Sequence, residues 1–427
     1  MMDEKKVFDS SWDFREDDTK ISNHGFHSYP AMMIPQVARR LIDNYGRKAS
    51  VLCDPFMGTG TSVLEAKLHE NFTTAYGIDI NPLARLIAKV KTTPIEYEIL
   101  SREIINVIEK SEEEIANANI FRTKVDVPNF SNIDFWFKPK VIQDLAIIRN
   151  NINSINTDDP AICESIKNFL LVSFSETVRL ASNTRNSEFK LYRMAPEKLK
   201  AYIPQTIKIF REKTCANLER MRLFNSEAKR CKVNILDEDT RHKTSIPSEC
   251  VDIVVTSPPY GDSHTTVAYG QFSRLSLEWL GFDSKQVRNI DKISLGGIPT
   301  PDLCNSLNSP SLSQVLQNIT DIDPIRARSV LSFYLDFSQC VIEIDRFMKV
   351  GGYLCFVVGN RTVKKQQIPT DEIIKELFQA QSQYEHIQTT IRSIPNKRMP
   401  KANSPTNVKG ELSSTMNNEY IVILQKM

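Results

Sequence analysis

At 427 residues, with 25% charged side chains and a formal net charge of +2, the chain has room for one large domain with an insertion or for two domains. Its overall charge excludes a global polyanion-binding surface, so any such surface must be a local basic patch. Eight cysteines without a Cys-x-x-Cys pair exclude a disulfide framework and a zinc site of the usual spacing, and no metal is assigned. No apolar run approaches a bilayer-spanning length and residues 1–20 hold no apolar leader, so a cytoplasmic protein is expected.

The run Ser50-Val51-Leu52-Cys53 ends at Asp54-Pro55 and reads as a strand. A turn follows through Pro55, Phe56, Gly58, Gly60 and Thr61, and Ser62 to Lys67 reads as a helix. A second strand, Thr74 to Ile78, stops at Asp79, and after Ile80 the pair Asn81-Pro82 opens a further helix. The glycines precede Asp79 by roughly the twenty residues at which an acidic strand end meets a ribose.

From about Thr92 to Lys229 the strand signals fade, and apolar residues such as Ile162, Ile166, Phe169 and Leu170 at helical spacing predict a mostly helical insertion. Phe130, Phe135, Trp136 and Phe137 beside Lys138 and Lys140 read either as a core anchor or as a nucleic-acid contact. Arg179, Arg185, Lys190 and Arg193 surround the polar stretch Ser182 to Ser187, which suits phosphate contacts as well as a solvated face.

Strand signals resume at Lys232 to Ile235, before Asp237, and at Val251 to Val255, which runs into Ser257-Pro258-Pro259-Tyr260. Two prolines remove two backbone donors and fix φ, so this turn aims unpaired carbonyl oxygens rigidly outward. Such acceptors can hold an NH2 group, the Ser257 hydroxyl adds another, and Tyr260 offers a flat ring for a base. A Pro-Pro pair alone is only a stiff turn, and a Gly-x-Gly alone occurs in many dinucleotide sites. Together they point to methyl transfer onto an exocyclic amine. The lack of Gly-Lys-Ser/Thr excludes a phosphate-binding P-loop, and the lack of a Pro-Cys pair argues against a carbon-5 nucleophile.

Tyr353 to Val358 follows Gly351-Gly352 as a further strand, and His386 to Ile394 with Glu419 to Leu424 predicts an antiparallel edge hairpin. The intervening loop, Arg392 to Gly410, carries Lys397, Arg398 and Lys401 and no acid, which favours contact with phosphates. The alternation predicts a doubly wound, mostly parallel α/β core, with ligands bound beyond the carboxyl ends of the strands. Three regions are expected: 1–94, an N-terminal element with a cofactor-binding half; 95–229, the insertion; and 230–427, a catalytic half.

Asp54 to Thr61, Gly77-Ile78-Asp79-Ile80 and the Ser-Pro-Pro-Tyr turn together resemble the DNA amino-methyltransferases, and the turn is of the form frequent in enzymes that methylate N4 of cytosine. His24 to Ala31 is similar to the family's N-terminal element, and Arg392 to Arg398 with Glu419 to Val422 to its closing hairpin. The resemblance implies a seven-stranded Rossmann-like sheet that binds S-adenosyl-L-methionine through Tyr29, Asp54, Pro55, Phe56, Gly58, Gly60, Thr61, Asp79, Ile80 and Asp237. In it Asp54 faces the cofactor ammonium and Asp237 the adenine amine, while Asp79 accepts from the ribose. It implies catalysis by Ser257, Pro258, Pro259 and Tyr260 on double-stranded DNA. Arg185, Lys190, Arg193, Lys397, Arg398 and Lys401 are the candidate DNA contacts, and the partner is a restriction endonuclease acting separately from a monomeric enzyme. The cofactor loop precedes the catalytic turn, an order that keeps adenine N6 open as the alternative. An RNA-base methyltransferase and a non-catalytic nucleic-acid-binding relic are the readings of other kinds.

Overall fold

The computed structural model describes residues 5–121, 125–185, 188–262, 266–394, 402–403, 413–414 and 416–427. Its main sheet has eight strands: β1 (Lys6–Phe8), β2 (Val51–Asp54), β3 (Thr74–Ile78), β4 (Lys232–Leu236), β5 (Val251–Thr256), β6 (Met348–Val358), β7 (Tyr384–Ser393) and β8 (Asn418–Lys426). They lie in the order β1-β7-β8-β6-β5-β2-β3-β4. Only β8 runs against the rest, between β6 and β7. The fold is thus the doubly wound, mostly parallel α/β sheet expected, with one strand more than the seven expected. The extra strand, β1, pairs in parallel with β7, so the closing hairpin is not the sheet edge. Three residues inside a charged segment are too short to show a two-residue period, which hides β1 from the sequence. Lys6 of β1 is held there by Asp371 and Glu372, at 2.5 and 3.3 Å.

Helices α1 (Pro35–Tyr45), α2 (Thr61–Leu68) and α3 (Pro82–Thr92) accompany the first strands. Between β3 and β4 the chain runs through α4 (Tyr97–Phe121), α5 (Pro139–Asn153), α6 (Pro160–Ala181) and α7 (Thr206–Glu227). Later come α8 (Tyr269–Leu280), α9 (Ser284–Ile293), α10 (Pro310–Thr320), α11 (Pro324–Phe347) and α12 (Thr370–Gln381). Asp-Pro pairs start α6 and α11: the proline tolerates the first turn, and Asp159 and Asp323 each accept from two backbone amides there. No described helix is long and apolar enough to cross a membrane.

Sheet residues alternate between two cores. Leu354, Phe356 and Val358 pack on Phe337, Phe347 and Phe378 of α11 and α12, whereas Cys355 and Val357 face Val37 and Leu41 of α1. The helices between β3 and β4 share a third core with Phe26, Tyr29, Leu83 and Ile87, and with α8. At its centre Trp279 is met edge-on by Phe130, Phe137 and Phe174, at ring separations of 5.9, 5.7 and 6.2 Å. Burying each such ring stabilises the fold by about 1.5–3 kcal/mol. Phe130, Trp136 and Phe137 are therefore core anchors, and Phe135 alone of that aromatic group is exposed. By this shared core the helical segment is fixed against α3 and α8, both of which reach the carboxyl rim of the sheet.

Candidate active site

Two neighbouring strands bring the two sequence signals together. β2 and β5 pair in parallel, Leu52 beside Ile253 and Cys53 beside Val254, so Asp54 and Thr256 end side by side. Thr256 Oγ1 donates to Asp54 Oδ1 at 2.6 Å. Beyond Asp54 the chain turns at Gly58 and Gly60, with φ of +51° and +81°. Only glycine adopts these values without strain. A Cβ at Gly60 would lie 2.8 Å from Cβ of Ala88 on α3, whereas one at Gly58 would enter open space.

Asp79, just after β3, is clamped to that turn. Its Oδ2 accepts from the Gly58 amide at 3.0 Å and its Oδ1 from the Asn81 amide at 2.7 Å. Burial raises Asp79 to about 7 and Asp54 to about 6, outweighing the hydrogen bonds that favour their charged forms. Asn81 also caps α3 and donates to Tyr29 Oη at 2.9 Å and Ser273 Oγ at 2.8 Å. Tyr29 stacks on Tyr269 with ring centroids 5.9 Å apart.

At the proline turn Ser257 Oγ donates to the Val357 carbonyl at 2.9 Å, which leaves its lone pairs free to accept. The Tyr260 hydroxyl donates to Glu419 at 3.1 Å and lies 3.4 Å from Ser257 Oγ. Burial raises the Tyr260 phenol well above its usual range, and the Glu419 charge adds to this.

One cavity opens over these strand ends. Of the residues singled out in the sequence, Tyr29, Asp54, Pro55, Phe56, Gly58, Thr61, Asp79, Ile80, Ser257 and Pro259 line it. Gly60, Pro258 and Tyr260 do not: Gly60 packs behind the loop on α3, and Tyr260 stands behind Ser257 against Glu419. Asp237 lies outside, 77% exposed and paired with Arg85 at 2.7 Å. The chain turns after β4, and Glu238, Asp239, Thr240 and Arg241 reach the cavity in its place. Thr240 Oγ1 holds this loop down by donating to the Pro55 carbonyl at 2.9 Å.

Arg185, Lys190 and Arg193 lie on the insertion, with Arg193 over the exposed Phe135 ring at 4.2 Å and Arg185 beside Tyr192 at 5.9 Å. Phe189 of the same loop meets Phe272, whose ring is 5.3 Å from that of Tyr29 at the cavity wall. Two neighbouring arginines have other duties. Arg179 is buried over Phe272, and Arg392 is buried with Nε and Nη2 both donating to Glu419 Oε2, at 2.8 and 2.7 Å. Lys397, Arg398 and Lys401 lie outside the described residues. Thr256, Asp239 and Tyr269 are site residues that sequence reasoning missed, each without a motif of its own, and Glu419 reads in the sequence only as the start of the closing strand.

The cavity wall suits a ligand with cationic groups and hydroxyls, because two buried carboxyls with raised pKa values face it and no side chain projects from Gly58. Over 441 residues the chain is 42% identical to the type II methyltransferase M.MvaI of Kocuria varians, covering 99% of this chain and 95% of that protein. The chain belongs to the type II DNA methyltransferase family. This methyltransferase is also 21% identical over 318 residues to the type II methyltransferase M.BsoBI of Geobacillus stearothermophilus, covering 69% of this chain and 58% of the other. No protein-family model matches it. TrmN from Thermus thermophilus, a solved structure, overlaps 92% of this chain and 49% of its own at 10% identity, with a TM-score of 0.28. The fold of the methyltransferase therefore rests on its strand order. Its methyl donor is of the S-adenosylmethionine type.

Proposed function

We propose that this type II methyltransferase moves a methyl group from S-adenosyl-L-methionine to N4 of cytosine at a specific site in duplex DNA. It protects that site from a cognate restriction endonuclease, in the cytoplasm and as a monomer. One observation carries the reading: Ser257 and Pro259 line the same cavity as Asp54, Gly58 and Asp79. When bound, the cofactor would supply a sulfonium methyl carbon open to in-line attack. Asp79 would accept from the ribose hydroxyls, Asp54 would face the ammonium, and Asp239 takes the adenine-facing place first given to Asp237.

The amine of cytosine is a poor nucleophile because its lone pair is delocalised into the ring. Hydrogen bonds from NH2 to Ser257 Oγ and the Pro258 carbonyl favour a pyramidal nitrogen whose lone pair faces the methyl carbon. The Tyr260 ring, outside the cavity lining and fixed through its hydroxyl by Glu419, would have to turn toward Pro259 to stack against the base. The base must first leave the duplex, at a cost of about a few kcal/mol. Arg185, Lys190 and Arg193, with Lys397, Arg398 and Lys401, contact phosphates, and region 95–229 reads the site. Region 1–94 holds the donor, and 230–427 brings the turn.

The order of the two segments, cofactor loop before proline turn, favours adenine N6 as the second reading. Labelled donor, DNA and full-length protein, followed by digestion to nucleosides, distinguishes the two. Label in N4-methylcytosine is expected; label in N6-methyladenine selects the second reading, and label in 5-methylcytosine or in no nucleoside defeats both.

A further inference from the structure

Lys91, near the end of α3, has no exposed surface. Among the described residues its ammonium makes one hydrogen bond, to Thr59 Oγ1 at 3.2 Å. Burial pushes it down to about 7, and no neighbouring acid offsets that. The two imidazoles that feel its charge, His24 and His27, are themselves buried and shifted toward the neutral form. His24 Nε2 is spent on Glu65 at 2.8 Å and His27 Nδ1 on the Ser28 carbonyl at 2.6 Å. Their other nitrogens, and Asn23 Oδ1, lack hydrogen-bond partners among the described residues. Lys91 therefore has the Thr59 hydroxyl as its hydrogen-bond partner and two neutral imidazoles within reach of its charge, and no counter-charge.

Thr59 lines the cavity, so Lys91 reaches the site through one hydroxyl. That hydroxyl accepts from Lys91 and donates only to Met32 Sδ at 3.2 Å, a weak acceptor that a stronger one readily replaces. Arg241, the cation that lines the cavity among the described residues, is committed to Asp239 at 2.6 Å and Asp336 at 3.2 Å.

We propose that Lys91, acting through the Thr59 hydroxyl, receives the carboxylate at the amino-acid end of the methyl donor. This rests on the functional reading above. Thr59 swings its proton from the Met32 sulfur to the carboxylate, and the ammonium behind it gains the anion it lacks. No covalent change is involved.

The test compares S-adenosylmethionine with its decarboxylated form, which keeps the sulfonium and the ammonium, by calorimetry on the full-length chain. Wild type is expected to favour the carboxylate-bearing ligand by about tenfold or more. In Lys91→Met that preference falls to within about threefold, with affinity for the decarboxylated ligand unchanged, and Thr59→Val reduces it as well. A preference in both variants equal to that of wild type overturns the proposal, as does an equal loss for both ligands. Should Lys91→Met fail to fold, Thr59→Val decides alone. Wild type that binds neither ligand overturns the functional reading itself.

Discussion

Thr256 donates to Asp54 at 2.6 Å across the pair β2 and β5, and this bond joins the residue before the proline turn to the residue before the cofactor loop. It also stabilises the charge on a carboxylate that burial holds at about 6. Thr256→Val keeps the shape and removes the donor. The variant should lose about 1–3 kcal/mol of stability, seen in denaturant unfolding, and bind the methyl donor several-fold more weakly. Unchanged unfolding and unchanged affinity would mean that the bond ties nothing together.

Gly58 and Gly60 both have positive φ but meet different surroundings. Gly60→Ala drives a methyl into Ala88 and should lower the melting temperature markedly. In Gly58→Ala the backbone is strained but the new methyl points into the cavity, so donor affinity should fall more than stability. The ratio of the two effects, measured by calorimetry and thermal melting on both variants, should invert between the positions.

Much of this half of the molecule is legible in the sequence, because strand, glycine turn and helix are local features with their own punctuation. Asp54, Gly58, Asp79 and Ser257 were found that way. The path of a loop is not local, and the resemblance points to Asp237 after β4 although the chain bends to present Asp239. Arg392 reads as a basic loop residue until its partner Glu419 is seen, 27 residues on. Strand β1 escapes because three residues hold no period.

Asp54 and Asp79 titrate in the folded chain at about 6 and about 7, above the 3.8 of a free aspartate. Between about pH 4 and 7 the folded, ligand-free chain therefore holds protons that the unfolded chain has released. These two groups accordingly favour folding more as pH falls through that window. A cationic ligand needs them ionised, so its affinity moves in the opposite sense. Calorimetry across pH 5.5 to 8.5 should show donor affinity weakening below 7, by up to about tenfold per unit for each carboxyl that must ionise, and the Asp79→Asn variant should lose the part of the slope between about 6 and 7.

Phe189, Tyr192 and Phe135 are exposed beside Arg185 and Arg193, and Phe189 is joined through Phe272 to Tyr29 at the cavity wall. Exposed rings flanked by guanidinium groups suit a nucleic-acid strand. Arg193→Ala and Phe189→Ala should each weaken DNA binding by about 1–3 kcal/mol and leave donor affinity unaltered. Arg193→Ala should also lower the salt dependence of binding. A fluorescence titration at several salt concentrations measures both, and equal behaviour of variant and parent would remove this surface from the DNA interface.

The central claim is a division of labour inside one cavity: the aspartates and the glycine loop hold the donor, and the proline turn activates the amine. Single-turnover methyl transfer by Ser257→Ala, with the donor dissociation constant measured on the same preparation, tests it most directly. The transfer rate is predicted to fall by about a hundredfold or more with donor affinity unchanged. An undiminished rate, or a rate that falls only in step with donor affinity, would contradict it.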